Sequence, residues 1–172
     1  MRPDTLARDV AVIQSMTADD LDAVHAVASA SFGAPWSRET FAEELERDWA
    51  LLRVLRPTPR EPACAFVNFW IVRDEVHVLN LATHPEHRRR GFARRLLEDT
   101  LAYARARHVR YVTLEVRRSN IAAIKLYRAL GFASIGVRPK YYAEDGEDAL
   151  VMLLTLDPET GLTVWRPDED EL

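Results

Sequence analysis

Between His84 and Thr100 the chain reads HPEHRRRGFARRLLEDT, with Arg88, Arg89, Arg90, Arg94 and Arg95 crowded about Gly91. Guanidinium forks bind phosphate and carboxylate oxygens through charge-assisted hydrogen bonds. The pattern predicts a strand ending at Thr83 and a helix beginning at Phe92. The loop between them brings the unpaired first amides of a helix to one spot. A glycine there lets a ligand approach the backbone, and a diphosphate is a common guest at such an end. Arg89, Arg90 and Arg94 are placed to add charge. The residues alone leave two other readings open, a solvated basic helix face and a nucleic-acid patch. Neither G-x-x-x-x-G-K-S/T nor G-x-G-x-x-G occurs, so a nucleotide P-loop and a dinucleotide fingerprint are both absent.

Two more side chains carry chemical potential. In YVTLEVR, Val112, Leu114 and Val116 share one face of a predicted strand, and Tyr111, Thr113, Glu115 and Arg117 share the other. A carboxylate in mid-strand must be solvated, paired or functional. Tyr127 lies in the next predicted helix beside Ile121, Ile124 and Leu130, where a core aromatic with a satisfied hydroxyl is the default. Cys64, the only cysteine, sits in the apolar run ACAFVNFWIV and reads as a small buried hydrophobe rather than a nucleophile. His84 and His87 with Glu86 form a loop, not a ligand set, so no metal is expected.

The elements that position these groups follow from periodicity. A strand is predicted over Val10–Ser15, then a helix from a capping box at Thr17–Asp20 to about Phe32, then a helix, RETFAEELERD, capped by Ser37. Strands at Ala50–Leu55, Ala63–Val72 and Val76–Thr83 precede a helix over Phe92–Arg107, where Ala93, Leu96, Leu97, Thr100, Leu101 and Ala104 recur at helical spacing. Strand Tyr111–Arg117, helix Asn120–Leu130 ended by Gly131, and strands Phe132–Val137 and Asp148–Leu156 complete the order. A central hairpin followed by a strand–helix–strand crossover implies an α/β fold, a mixed central sheet of about seven strands flanked by about four helices. Residues 1–157 read as a single domain and 158–172 as a polar, then acidic, tail.

With 172 residues the chain can bury a core of its own without disulfides or structural metal. Its net charge of -4 argues against a nucleic-acid partner. No apolar run reaches about 18 residues and the N-terminus lacks a signal-peptide core, so neither a membrane span nor export is expected. A single thiol fits a reducing, cytoplasmic setting. The sequence is silent on oligomeric state.

RRRGFA resembles the R/Q-x-x-G-x-G/A acetyl-CoA loop of the GNAT acetyltransferases. NLATHPEHRRRGFARRLL, LEVRRSNIAAIKLYRALGF and KYYAEDGEDALVM follow one another in the order and spacing of the RimI branch of that family, the ribosomal-protein alanine N-acetyltransferases. The upstream PWSRETF is similar to that branch as well. The likeness spans roughly Val10 to Leu156, and LEVRRSNIAAIKLYRALGF is its most specific piece.

The resemblance implies a GNAT fold and acetyl-CoA as co-substrate. It implies that the diphosphate sits on Arg89, Arg90, Gly91, Phe92, Ala93 and Arg94, the pantetheine runs beside Leu81, Ala82 and Thr83, and Asn120 touches the same ligand. Ala93 departs from the commoner glycine, which the pattern permits. Glu115 is implied as general base and Tyr127 as general acid near the sulfur, with a backbone amide near Leu81 or Ala82 facing the oxyanion. The implied acceptor is a protein N-terminus, that of ribosomal protein S18, beginning with alanine, on a side shaped by Pro35–Ser37 and Tyr141–Tyr142. Another N-terminus, a small amine, or a domain that binds acetyl-CoA without catalysis would keep the same loop. An α-amino group titrates near 8 and a lysine near 10.4, so at pH 7 about 250-fold more of the former is neutral. An ordinary carboxylate is a weak base for such an amine, so a raised pKa at Glu115, or a water relay, is expected.

Overall fold

Among the described residues, eight strands and four helices alternate: β1 (Val12–Ser15), α1 (Leu21–Ser31), α2 (Arg38–Leu45), β2 (Ala50–Arg56), β3 (Ala65–Val72), β4 (Glu75–Thr83), α3 (Phe92–Ala106), β5 (Tyr111–Arg117), α4 (Ile121–Ala129), β6 (Ala133–Tyr142), β7 (Glu147–Leu156) and β8 (Thr163–Val164). The structure is a computed structural model and describes residues 10–165. The strands form one sheet in the order β1-β2-β3-β4-β5-β7-β6, with β8 beside the end of β7. Every pairing is antiparallel except β4 with β5. Those two are joined by the α3 crossover, which returns the chain in the same direction.

The β4–β5 pairing positions the site. It runs only from Glu75–Val78 to Tyr111–Leu114, although both strands continue. On its other side β4 carries a bulge: Val78 faces Phe69 and Asn80 faces Asn68, which leaves Leu79 as the extra residue. The edge of β4 from Leu79 to Thr83 therefore has no partner on β5.

Two layers hold the sheet. Phe92, Leu96, Leu97, Thr100, Leu101 and Ala104 form the buried stripe of α3, and each leucine contributes about 2 kcal/mol by leaving water. They join Val76, Val78, Val112, Leu114 and Met152 of the sheet and Ile124 and Tyr127 of α4. On the opposite face Leu21, Val24, Val27 and Ala28 of α1 and Phe41 of α2 cover Leu52, Val54, Phe66 and Ala82. Glu44 of α2 is buried there but satisfied. Its carboxylate accepts from Trp70 Nε1 at 2.7 Å, Asn68 Nδ2 at 3.3 Å and Arg47 Nη1 at 2.6 Å, so the charge ties α2 to β3 instead of opposing burial.

Several boundaries differ from expectation. Asp20 Oδ2 accepts the Thr17 N–H at 3.0 Å, but the turn at Ala18–Asp20 is a 3₁₀ turn and α1 begins only at Leu21. Ser37 caps α2 as its spacing indicates, accepting the Thr40 N–H at 3.1 Å. Gly131 follows the end of α4 with φ 100°, and a Cβ there would lie 3.0 Å from both Leu154 and Thr163. Strand β6 runs past Val137 to Tyr142, because Arg138 and Tyr142 still pair with Ala149 and Glu147. The segment after Pro158 turns back, Asp157 N–H bonding to Leu162 O at 2.8 Å. Thr163 and Val164 then pair with Leu156 and Thr155, so this part of the expected tail joins the sheet. Residues 166–172, the rest of that segment, lie outside the described residues.

Candidate active site

The start of α3, the end of β4 and the start of α4 enclose a cavity of about 470 Å³. Leu81–Thr83, Arg89, Gly91–Arg94 and Asn120 all line it. Arg90 is the one expected binding residue that does not; it is exposed outside the lining. Arg89 and Gly91 are both left-handed, with φ 61° and 75°, and such alternation turns successive amides into an anion-binding hollow. A Cβ built on Gly91 would meet nothing within 4 Å, so open space fronts the loop. Asn120 caps α4, accepting the Ala123 N–H at 3.2 Å, which fixes its side chain at the rim.

Sequence reasoning missed His87 and Arg88 in this wall. Arg88 Nε donates to Thr83 O at 3.2 Å and pins the loop to the strand end. His87 Nδ1 and Thr83 Oγ1 are buried and have no hydrogen-bond partner among the described residues. An open helix end, arginines and unpaired polar atoms along one hollow fit a diphosphate followed by an amide-bearing arm.

A second cavity, about 320 Å³, lies between the α1–α2 link at Ser31–Trp36, the bulge of β4, Glu115–Arg117 of β5, and Tyr141–Glu144 at the end of β6. The two cavities share Ser31, Phe32 and Leu81, so they meet at the bulge. Asn80, also missed from sequence, lines the second one with a buried Nδ2 that has no partner among the described residues.

Glu115 and Glu144 both line this second cavity, and Glu144 is engaged by Arg117. Glu115 Oε2 lies 2.8 Å from His77 Nε2 and Glu115 Oε1 lies 3.4 Å from Arg138 Nη2. The hydrogen bond from His77 holds its pKa below the usual carboxylate range, against burial and with help from Arg138. The expectation of a raised value is thereby corrected: burial is opposed by two donors that the strand pattern did not show. His77 sits opposite Thr113 in the β4–β5 pairing. The available signal was its alternation with the buried Val76 and Val78.

Tyr127 belongs to the core. Its side chain is buried, its ring centroid lies 5.8 Å from that of Phe132, and it lines neither cavity. Burial first, then Tyr142, pushes its hydroxyl well above the usual tyrosine range. The resemblance implies a proton donor to a leaving thiolate here; a phenol so buried would offer a hydrogen bond rather than full transfer. Tyr127→Phe is expected to slow turnover about tenfold, the worth of one charge-assisted hydrogen bond, with acetyl-CoA affinity unchanged. A variant turning over at the wild-type rate leaves Tyr127 as a packing residue only.

Arg117 organises the rim of the second cavity. Its guanidinium reaches Asp145 at 2.8 Å, Glu147 at 2.9 Å and Glu144, and lies 3.9 Å above the ring of Tyr142. Hydrogen bonds from Ser119 and then Arg117 bring Glu147 down to about 2, and Asp145 is also lowered, first by the Glu147 amide. A carboxylate lowered by folding stabilises the fold above its unfolded pKa and loses that contribution as pH falls through the folded value. The Ala143–Gly146 loop should thus resist proteolysis evenly from about pH 8 to 5 and become labile only below about pH 4. Lability already at pH 6, read by timed protease digestion, would show that Arg117 does not hold the loop.

Cys64 is buried, and burial pushes its thiol up to about 11, so no thiolate is ready to attack. Among the described residues no group of three or more His, Cys, Asp or Glu is arranged to hold a metal. No helix there is long and apolar enough to cross a membrane.

Comparison with known proteins matches this geometry. The sequence model of the Acetyltransferase (GNAT) family matches residues 21–132. The ribosomal protein bS18 alanine N-acetyltransferase of Escherichia coli K12 is 36% identical over 146 residues, covering 84% of this chain and 97% of the relative. The enzyme of the same name from Haemophilus ducreyi is 32% identical over 148 residues, covering 84% and 100%. The crystal structure of the Escherichia coli ribosomal-protein-S18-alanine N-acetyltransferase superposes with a TM-score of 0.77 at 34% identity, covering 94% of this chain and 98% of that one. The fold, the cavity at the head of α3 and these relatives agree: the chain belongs to the GNAT family of acetyltransferases, and acetyl-CoA is its co-substrate.

Proposed function

We propose that this protein transfers the acetyl group of acetyl-CoA to the N-terminal α-amino group of a protein in the cytoplasm, and that its acceptor is the N-terminal alanine of ribosomal protein bS18. The meeting of the two cavities at Leu81, with Glu115 on the acceptor side, carries the reading. The names and near-complete coverage of the relatives support the choice of acceptor.

The loop from Arg89 to Arg94 holds the diphosphate. The unpaired edge of β4 at Leu81–Thr83 offers its amides and carbonyls to the extended arm, as it would to another strand. The thioester then lies where the cavities join. Glu115, ionised, draws in the acceptor's ammonium and takes one proton, leaving a neutral amine whose lone pair attacks the carbonyl carbon. A carboxylate of depressed pKa lies more than about 3.5 units below an α-amino group, about 5 kcal/mol uphill. The neutral amine is therefore a small fraction, drawn forward as its lone pair bonds to carbon, and the nitrogen's second proton leaves with the thiolate as the C–S bond breaks. A backbone N–H near Leu81 or Ala82 faces the carbonyl oxygen as charge grows there. Tyr127 lines neither cavity, so its part toward the departing sulfur rests on the resemblance alone, and no acetyl-enzyme forms.

The test mixes protein, acetyl-CoA and a peptide beginning Ala-Arg, and follows free thiol. Release is expected with the open N-terminus and not when that N-terminus is blocked and a lysine placed within the peptide. Equal release from the blocked peptide, or release only with small amines, overturns the acceptor.

A further inference from the structure

We propose that His77 is a positioning residue for the reaction, its Nε2–H holding the Glu115 carboxylate ionised and aimed at the acceptor amine. The inference rests on Glu115 acting as the base, and it deepens that reading by giving the base a partner from another strand. His77 Nε2 and Glu115 Oε2 stand 2.8 Å apart. Two acceptors repel at that distance, so the imidazole nitrogen carries the proton and donates it. The Glu115 side chain is 9% exposed and that of His77 33%. A carboxylate so nearly buried tends toward its neutral acid unless a fixed donor favours the charged form. One oxygen committed to His77 also fixes the rotamer of a side chain that lines the second cavity, where the acceptor enters, with its other oxygen 3.4 Å from Arg138.

The surroundings single out this contact. On β4, Glu75 is taken up by Thr113 Oγ1 at 3.1 Å. On β3, Trp70 lies opposite His77, and its Nε1 is committed to Glu44. On β6, Arg138 stands farther from Glu115, at 3.4 Å and 56% exposed, and Tyr141 and Tyr142 face the same carboxylate. On β7, Glu115 is opposed by the uncharged Val151.

The dependence of kcat/KM on pH reports ionisations of the free enzyme. In the wild type the acidic limb set by Glu115 lies below the ordinary carboxylate range. In His77→Leu, burial is opposed only by Arg138 and a backbone N–H, so the limb moves up by about one pH unit. Turnover on the plateau falls about tenfold as the carboxylate loses its aim. His77→Gln, whose amide N–H reaches the same place, restores the limb and brings turnover to within about threefold of wild type. Calorimetry with acetyl-CoA should show equal binding by all three, which certifies their folding. If Glu115→Gln is impaired but His77→Leu keeps the wild-type limb, the role of His77 is overturned and the base stands. If His77→Gln fails as fully as His77→Leu with the limb unmoved, His77 is overturned as well. A Glu115→Gln variant as active as wild type overturns both.

Discussion

Glu115→Gln lowers kcat about a hundredfold at pH 7, a typical contribution of a positioned base, and leaves acetyl-CoA affinity unaltered. The amide keeps the shape of the carboxylate and an oxygen to accept from His77, so the fold has little reason to change. What it removes is the only function an amide cannot supply, acceptance of a proton from the incoming ammonium. The deficit should be greatest in acid, where nearly every α-amino group is charged, and should shrink above about pH 8, where the neutral amine arrives unaided. Thiol release measured between those limits checks the result. A pH–rate profile parallel to that of the wild type would remove Glu115 as base and leave it as a strand-face carboxylate paired with His77.

Gly91→Val is expected to weaken acetyl-CoA binding about a hundredfold, or about 3 kcal/mol, with a smaller loss of stability. Two effects add. At φ 75° an L side chain is strained, costing about 1–2 kcal/mol and more for a branched one. The new Cβ meets no protein atom within 4 Å, so the fold itself offers no clash. The added methyls instead project into the space that fronts the loop, the proposed seat of the diphosphate. Gly91→Ala separates the terms, since it carries the strain with less bulk. Calorimetry with acetyl-CoA reads both; wild-type affinity in the valine variant would show that the ligand's phosphates sit elsewhere.

What could be read from the residues was what depends on neighbours in the chain. The stripe of α3 repeats every three to four positions, and the structure buries Leu96, Leu97, Thr100, Leu101 and Ala104 of it, with Phe92 covered in place of Ala93. The loop about Gly91 is local too, and all its expected residues but Arg90 line one cavity, Arg90 being exposed outside it. His77 could not be found this way. Its partner is 38 residues distant and meets it only because β4 and β5 run parallel in one register. The expected rise in the pKa of Glu115 failed for the same reason: alternation shows that a side chain is covered, not what covers it. Tyr127 reads from spacing as a core aromatic and is buried as one, so its chemical role comes from the resemblance alone. The strand β8, two residues long, is too short to carry a period and shows itself only by pairing with β7.

The brief contact between β4 and β5 has one more consequence. Among the described residues, four residues of each strand supply the ladder that stitches β1–β4 to the rest of the sheet, so the fold carries a seam, which the proposed seating of the co-substrate along β4 would close. Occupancy should therefore be felt as cohesion: amides along Leu79–Thr83 and Glu115–Arg117, slow to exchange with solvent deuterium when the thioester is present, become the first to exchange when it leaves. Catalytic readiness and mechanical integrity would then be two readings of one ligand.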